Sequence, residues 1–153
     1  MKFIAVIEIP KGCDRRIHMS TDKSGFIDLG PIKDRIPIND GIMPVNYGYF
    51  ENIKNKDEDE DDDVDVLVFS SKKYKTGDKV KIEVFGMITR EDGDHKILAT
   101  DGSIEINAFS EINGEERKLI LDYFGFKSKP AFVDGIKQAT SFLNDCIEYS
   151  KKK

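Results

Sequence analysis

Residues Asp57 to Asp65 read DEDEDDDVD, eight acids in nine positions. Ionised carboxylates are acceptor-only oxygen ligands, so such a cluster can gather hard divalent cations or supply a general base. The run passes straight into apolar sequence, Val64-Asp65-Val66-Leu67-Val68. In a strand, Asp65 then sits among buried-type neighbours, where an unpaired carboxylate is costly unless a metal ion or a lysine offsets it. The run therefore divides into a prefix expected to be solvated, Asp57 to Asp59, and a suffix expected to act. Further charges stand where a folded sheet can collect them. Glu8 lies between Ile7 and Ile9, and Asp92, Asp94 and Lys96 follow the apolar stretch ending at Ile88.

Several chemistries are excluded by spacing. Calcium loops started at Asp57 or Asp59 lack the glycine at the sixth place and the glutamate at the twelfth. No GxxxxGK[ST] or GxGxxG stretch occurs. His18 and His95 are too few for a histidine zinc site and are expected at the surface. Cys13 and Cys146 show no ligand spacing and read as reduced thiols of a cytoplasmic protein. The donor types favour Mg²⁺, with Mn²⁺ as an alternative.

The chain of 153 residues fits a single domain, 1–153. Its net charge is −5, but setting the acidic run aside leaves 24 bases against 21 acids. The protein reads as a mildly basic body carrying one acidic knot. With no Trp, and its most charged loop acidic, it is not expected to bind nucleic acid. Glu8 interrupts the first apolar run, so no signal peptide is expected, and no stretch approaches the roughly 20 apolar residues of a membrane span.

The positioning elements follow from periodicity. Phe3–Ile9, Val64–Phe69, Lys79–Ile88, Lys96–Thr100 and Ile104–Phe109 read as strands, with Phe26–Leu29 returning from a hairpin at Asp22–Gly25. Glu111–Phe124 reads as a helix ended by Gly125, and Ala131–Tyr149 as a second helix with a core stripe including Phe132, Ile136 and Leu143. The fold expected is α+β, mainly β, and a small closed barrel is the natural way to avoid bare sheet edges.

The segments IEIPKG (7–12), Asp34-Arg35, MPVNYGYF (43–50), EDDDVDVLV (60–68), GMI…DGDHKILA (86–99) and FGFK (124–127) occur in the order seen in family I soluble inorganic pyrophosphatases. The chain resembles that family over about residues 3–149. The resemblance implies an OB-like five-stranded β-barrel with flanking C-terminal helices, hydrolysing pyrophosphate with several Mg²⁺ ions, and a homo-oligomer, dimer or hexamer. The family's D-x-D-P-x-D acids fall on Glu60, Asp62 and Asp65, with Asp59 or Asp61 as alternatives for the first. The first and third are implied metal ligands and Asp62 the general base. Asp94, Asp92 (or Glu91) and Glu8 are the other implied metal-site acids. Arg16, Arg35, Tyr47, Lys96 and Lys127 match phosphate-binding groups.

The chain departs from the family pattern in places. Arg16-Ile17-His18 stands for a Lys–Tyr–Glu triplet, Met43 and Phe126 for tyrosines, and Asp63 for the motif proline. The loop before Lys96 is about three residues short of the common bacterial form. A hydrolase of another small phosphoanhydride and a non-catalytic OB-barrel binding module are the competing readings.

Overall fold

Apolar and β-branched runs, alternating with charge along Lys79–Val84, form the strands of the computed structural model, which describes residues 2–58, 62–128 and 132–152. They are β1 (Lys2–Ile9), β2 (Arg15–Met19), β3 (Phe26–Pro31), β4 (Asn46–Lys54), β5 (Asp63–Phe69), β6 (Lys79–Thr89), β7 (Lys96–Thr100) and β8 (Phe132–Gly135). Two helices accompany them, α1 (Gly114–Phe124) and α2 (Ile136–Lys151). Strands β1, β4, β5, β7 and β6 pair in that order, and β1 pairs again with β6. This closes the expected five-stranded barrel and removes its open edges. Only the β5–β7 pairing within it is parallel. The β2–β3 hairpin stands apart as a second small sheet, and its turn is tied by Ser20 and Asp22.

Alternation sorts the strands into two apolar clusters. Val64, Val66 and Val68 join Ala5, Ile7 and Ile82 on one face, where Ala139, Phe142, Leu143 and Cys146 of α2 pack. Leu67 and Phe69 turn to the other cluster, with Met43 and Val45, and are covered by Ile120, Tyr123 and Phe124 of α1. Asn113 caps α1: its side-chain oxygen accepts the Glu115 N–H at 2.9 Å, and Gly125 follows the last turn.

Three expectations are corrected. Residues 104–109 do not form a strand. Both neighbours of β7 are already filled by β5 and β6, so Ile104 and Ile106 pack from an irregular segment that ends in a 3-10 turn at Phe109–Glu111. The first expected helix starts later, at Gly114, because Asn113 is its cap. The second begins at Ile136; Phe132–Gly135 instead extend the sheet beside β6, and Ala131 lies outside the described residues. Phe132 and Ile136 are accordingly exposed, whereas Leu143 is core.

Candidate active site

The P-V-N-Y-G stretch fixes one wall of the site. Asn46, fully enclosed, accepts the Lys11 N–H at 2.9 Å and donates to the Val68 carbonyl at 3.1 Å, locking the start of β4 between β5 and the loop after β1. Gly48 lies against β1 so closely that a Cβ there would stand 2.0 Å from the Val6 carbonyl oxygen. Between them Tyr47 turns inward, and its hydroxyl accepts from Lys96 Nζ at 3.0 Å. Burial raises the Tyr47 pKa well above the ordinary value, so the hydroxyl keeps its proton.

Lys96 opens β7 beside Asp65 of β5, its partner in the parallel register. The buried ammonium lies 2.8 Å from Asp65 and 3.0 Å from Asp94. Burial opposes its charge, yet the two carboxylates raise its pKa. Asp65 is pushed up, first by burial and then by Asp94, against the pull of Lys96. Burial also works against the Asp94 charge, but Lys96, Asp65 and Arg90 together hold Asp94 below the usual carboxylate range. Glu58 is pushed up to about 7 by burial and by Asp94 and Asp62.

These side chains line two adjoining cavities. An acidic one of about 250 Å³ is walled by Glu8, Glu58, Asp62, Asp63, Asp65 and Asp94. A cationic one of about 320 Å³ is walled by Arg16, Arg35, Arg90, Lys96 and Lys127, with Asp92 and Tyr123. His18, Tyr47 and Asp94 belong to both. Glu8 is buried and accepts the Met19 N–H at 2.8 Å, which ties the hairpin to β1. The cations crowd one another: burial and Arg35 lower the Arg16 pKa, and burial with Arg35 and Arg16 lowers that of Lys127.

Ten of the eleven residues expected from sequence are thus brought to these two cavities, and Glu60 lies outside the described residues. Asp92 falls on the cationic side, with Oδ2 accepting from Arg90 at 2.8 Å and Oδ1 accepting the Asp94 N–H at 3.0 Å. Two expectations change. His95 is buried, edge-on to Phe142 at 5.1 Å. Its Nδ1 accepts the Arg90 N–H at 3.0 Å, which leaves the proton on Nε2 to donate to Asp57, also at 3.0 Å. The described part of the prefix is therefore structured: Asp57 holds His95 and Lys56, and Glu58 faces the acidic cavity. Glycine at position 93 permits this, since a Cβ there would meet the Asp57 carbonyl oxygen at 2.4 Å.

Other site residues carried no sequence signal of their own. Arg90 and Tyr123 line the cationic cavity. Lys23 crosses from the hairpin to pair with Asp63, which Lys54 also approaches at 3.2 Å.

The residues present suit a divalent cation. Among the described residues no three acidic, histidine or cysteine side chains stand ready-arranged around one. The acidic cluster is nevertheless short of positive charge. Among the described residues no hydrogen-bond donor reaches the buried Asp94 Oδ1, and Glu58 resists ionisation.

Comparison with known proteins bears on the fold and the family. Among solved structures, inorganic pyrophosphatase from Thermus thermophilus superposes with a TM-score of 0.81 at 19% identity, covering 98% of this chain and 91% of that one. The enzyme from Ehrlichia chaffeensis gives 0.77 at 21%, covering 95% and 92%. That from Neisseria gonorrhoeae gives 0.75 at 20%, covering 97% and 90%. At these identities the likeness is one of fold. No curated protein matches the chain. The family model for inorganic pyrophosphatase matches residues 5–148. With that match over nearly the whole chain, the protein belongs to the inorganic pyrophosphatase family.

Proposed function

We propose that the two cavities form one active site for hydrolysis of inorganic pyrophosphate, with Asp62 as the general base. The observation that carries this reading is the junction of an acidic and a cationic cavity at Tyr47 and Asp94. Pyrophosphate is a compact polyanion, and attack on it needs its charge neutralised on one side and a water deprotonated on the other. Glu8, Glu60, Asp65, Asp92 and Asp94 would hold Mg²⁺, or Mn²⁺ in its place, Asp92 while also accepting from Arg90. The metal, when bound, supplies charge neutralisation and an acidified water.

Asp62 takes the proton of the attacking water. Tyr47 and Lys96 orient the phosphoryl group under attack. Arg16, Arg35 and Lys127 hold the leaving phosphate as the bridging P–O bond breaks. No helix among the described residues is long and apolar enough to cross a membrane. We place the protein in the cytoplasm as a single-domain homo-oligomer, a dimer or hexamer. The deciding experiment is phosphate release from pyrophosphate with and without Mg²⁺. Metal-dependent release supports the reading, and no release with Mg²⁺ or Mn²⁺ at neutral to alkaline pH overturns it. A panel of nucleotides and polyphosphates separates pyrophosphate from other phosphoanhydrides.

A further inference from the structure

Arg90 is the first residue after β6, at the entry to the short turn that carries Asp92 and Asp94. Its side chain is only 10% exposed, yet it belongs to the wall of the cationic cavity. One guanidinium nitrogen donates to Asp92 at 2.8 Å, and the other stands 4.0 Å from Asp94, too far for a hydrogen bond. Nε is buried, with no hydrogen-bond partner among the described residues. A guanidinium carries five donors in a planar fork suited to phosphate oxygens. Here it is nearly withdrawn from water and, among the described residues, makes a single hydrogen bond. A group that only anchored the turn would be expected to use more of its donors at this depth.

We propose that Arg90 is a phosphate-binding residue of this site, a further fixed cation that contacts the substrate from the turn between β6 and β7. The proposal rests on the reading of the cationic cavity as the phosphate site. Asp92 then has a second role. Before substrate arrives it holds the guanidinium in the cavity wall, and it is not needed for the contact with phosphate itself.

The alternative is that Arg90 merely ties down the turn through Asp92, and a double-mutant cycle separates the two. Binding of inorganic phosphate to the metal-free protein is measured calorimetrically in chelator for wild type, Arg90→Gln, Asp92→Asn and the double variant. Loss of a charge-assisted contact weakens phosphate binding about tenfold. The expected result is a loss of that size on Arg90→Gln in both backgrounds. Arg90→Lys, which keeps the charge and loses the fork, should fall between wild type and Arg90→Gln and guards against misfolding of the glutamine variant. If the loss disappears in the Asp92→Asn background, Arg90 is only an anchor and the proposal is overturned. Unchanged binding by Arg90→Gln overturns it too, while leaving the site reading intact. A wild-type protein that neither binds phosphate nor releases it from pyrophosphate overturns the site reading, and this assignment with it.

Discussion

Lys96 Nζ lies 2.8 Å from the Asp65 carboxylate, and the buried lysine and half-buried carboxylate meet at the boundary between an acidic and a cationic cavity. The lysine thus serves two ends at once. It offsets the charge of carboxylates proposed to hold metal, and it donates to the hydroxyl of Tyr47, which lines both cavities. Removing it leaves Asp65 without its cation and, among the described residues, Asp94 with only Arg90, 4.0 Å away. Lys96→Met is therefore expected to destabilise the metal-free protein by about 3 kcal/mol at pH 8, as for other broken buried pairs. The loss should shrink in acid, where Asp65, held above its usual range, takes up a proton. Denaturant melts at two pH values check this, and equal losses at both would contradict it.

Gly48 is set by backbone proximity rather than by a turn. Its missing side chain lets β4 cross Val6 and Ile7 of β1. A methyl group would have to displace the Val6 carbonyl, and both strands are held within a closed barrel. Gly48→Ala is expected to cost about 3 kcal/mol or more, at the upper end for overpacking. A melting temperature within two or three degrees of wild type would refute that account.

Much of this architecture is legible from residue types alone. Apolar and β-branched runs locate β1, β5 and β7, alternation locates β6, and Asp65 among valines announces a carboxylate that needs a counter-charge. What escapes is set by partners distant in sequence. Ile104 and Ile106 alternate like strand residues, yet both neighbours of β7 are taken. Phe132 has helical spacing with α2, but β6 runs beyond β1, which pairs only with Lys79–Glu83, and captures Phe132–Gly135 on that edge at Gly86–Thr89. His95 carries no local mark of burial; Phe142, from the far end of the chain, covers it. Arg90 reads as one more loop cation until the cavity around it is seen.

Asp62 and Asp65 should fail differently when neutralised. Both line the acidic cavity, but of the two Asp65 is the one paired with the buried Lys96. Asp62→Asn removes the proton acceptor and keeps an oxygen, so phosphate release should fall by 10²-fold or more while Mg²⁺ binding changes little. Asp65→Asn should abolish release and weaken Mg²⁺ binding as well. Calorimetric Mg²⁺ titration beside the assay reads the two separately, and matched Mg²⁺ affinities would remove the distinction.

The two thiols should react unequally. Cys146 is enclosed by the α2–barrel contact, and burial pushes its pKa up to about 11. Cys13 is partly exposed. Since the thiolate is the reactive form, a disulfide reagent at pH 8 should titrate one thiol in the native protein and two in denaturant. Rapid reaction of both in the native state would show that α2 does not seal this face.

The pH dependence of stability should carry the mark of Glu58. Its pKa rises from an ordinary 4.5 to about 7 through burial and the charges of Asp94 and Asp62, partly relieved by Lys96. Between those values the folded protein binds a proton that the unfolded chain has released. Folding is therefore favoured at the acid end of this window and loses stability as pH climbs from 4.5 to 7. Solvent reaches this carboxylate, so the loss amounts to about 1 kcal/mol, well below what the full shift would imply. Glu58→Gln cannot ionise and should flatten that part of the metal-free stability curve, leaving the variant more stable than wild type at pH 8 and near parity at pH 5. Added Mg²⁺ neutralises the same crowding by charge, so it should stabilise wild type more than the variant. Melting curves in chelator and in Mg²⁺ across this range test both statements, and a variant that tracks wild type at every pH would show that Glu58 does not share the field of Asp62 and Asp94.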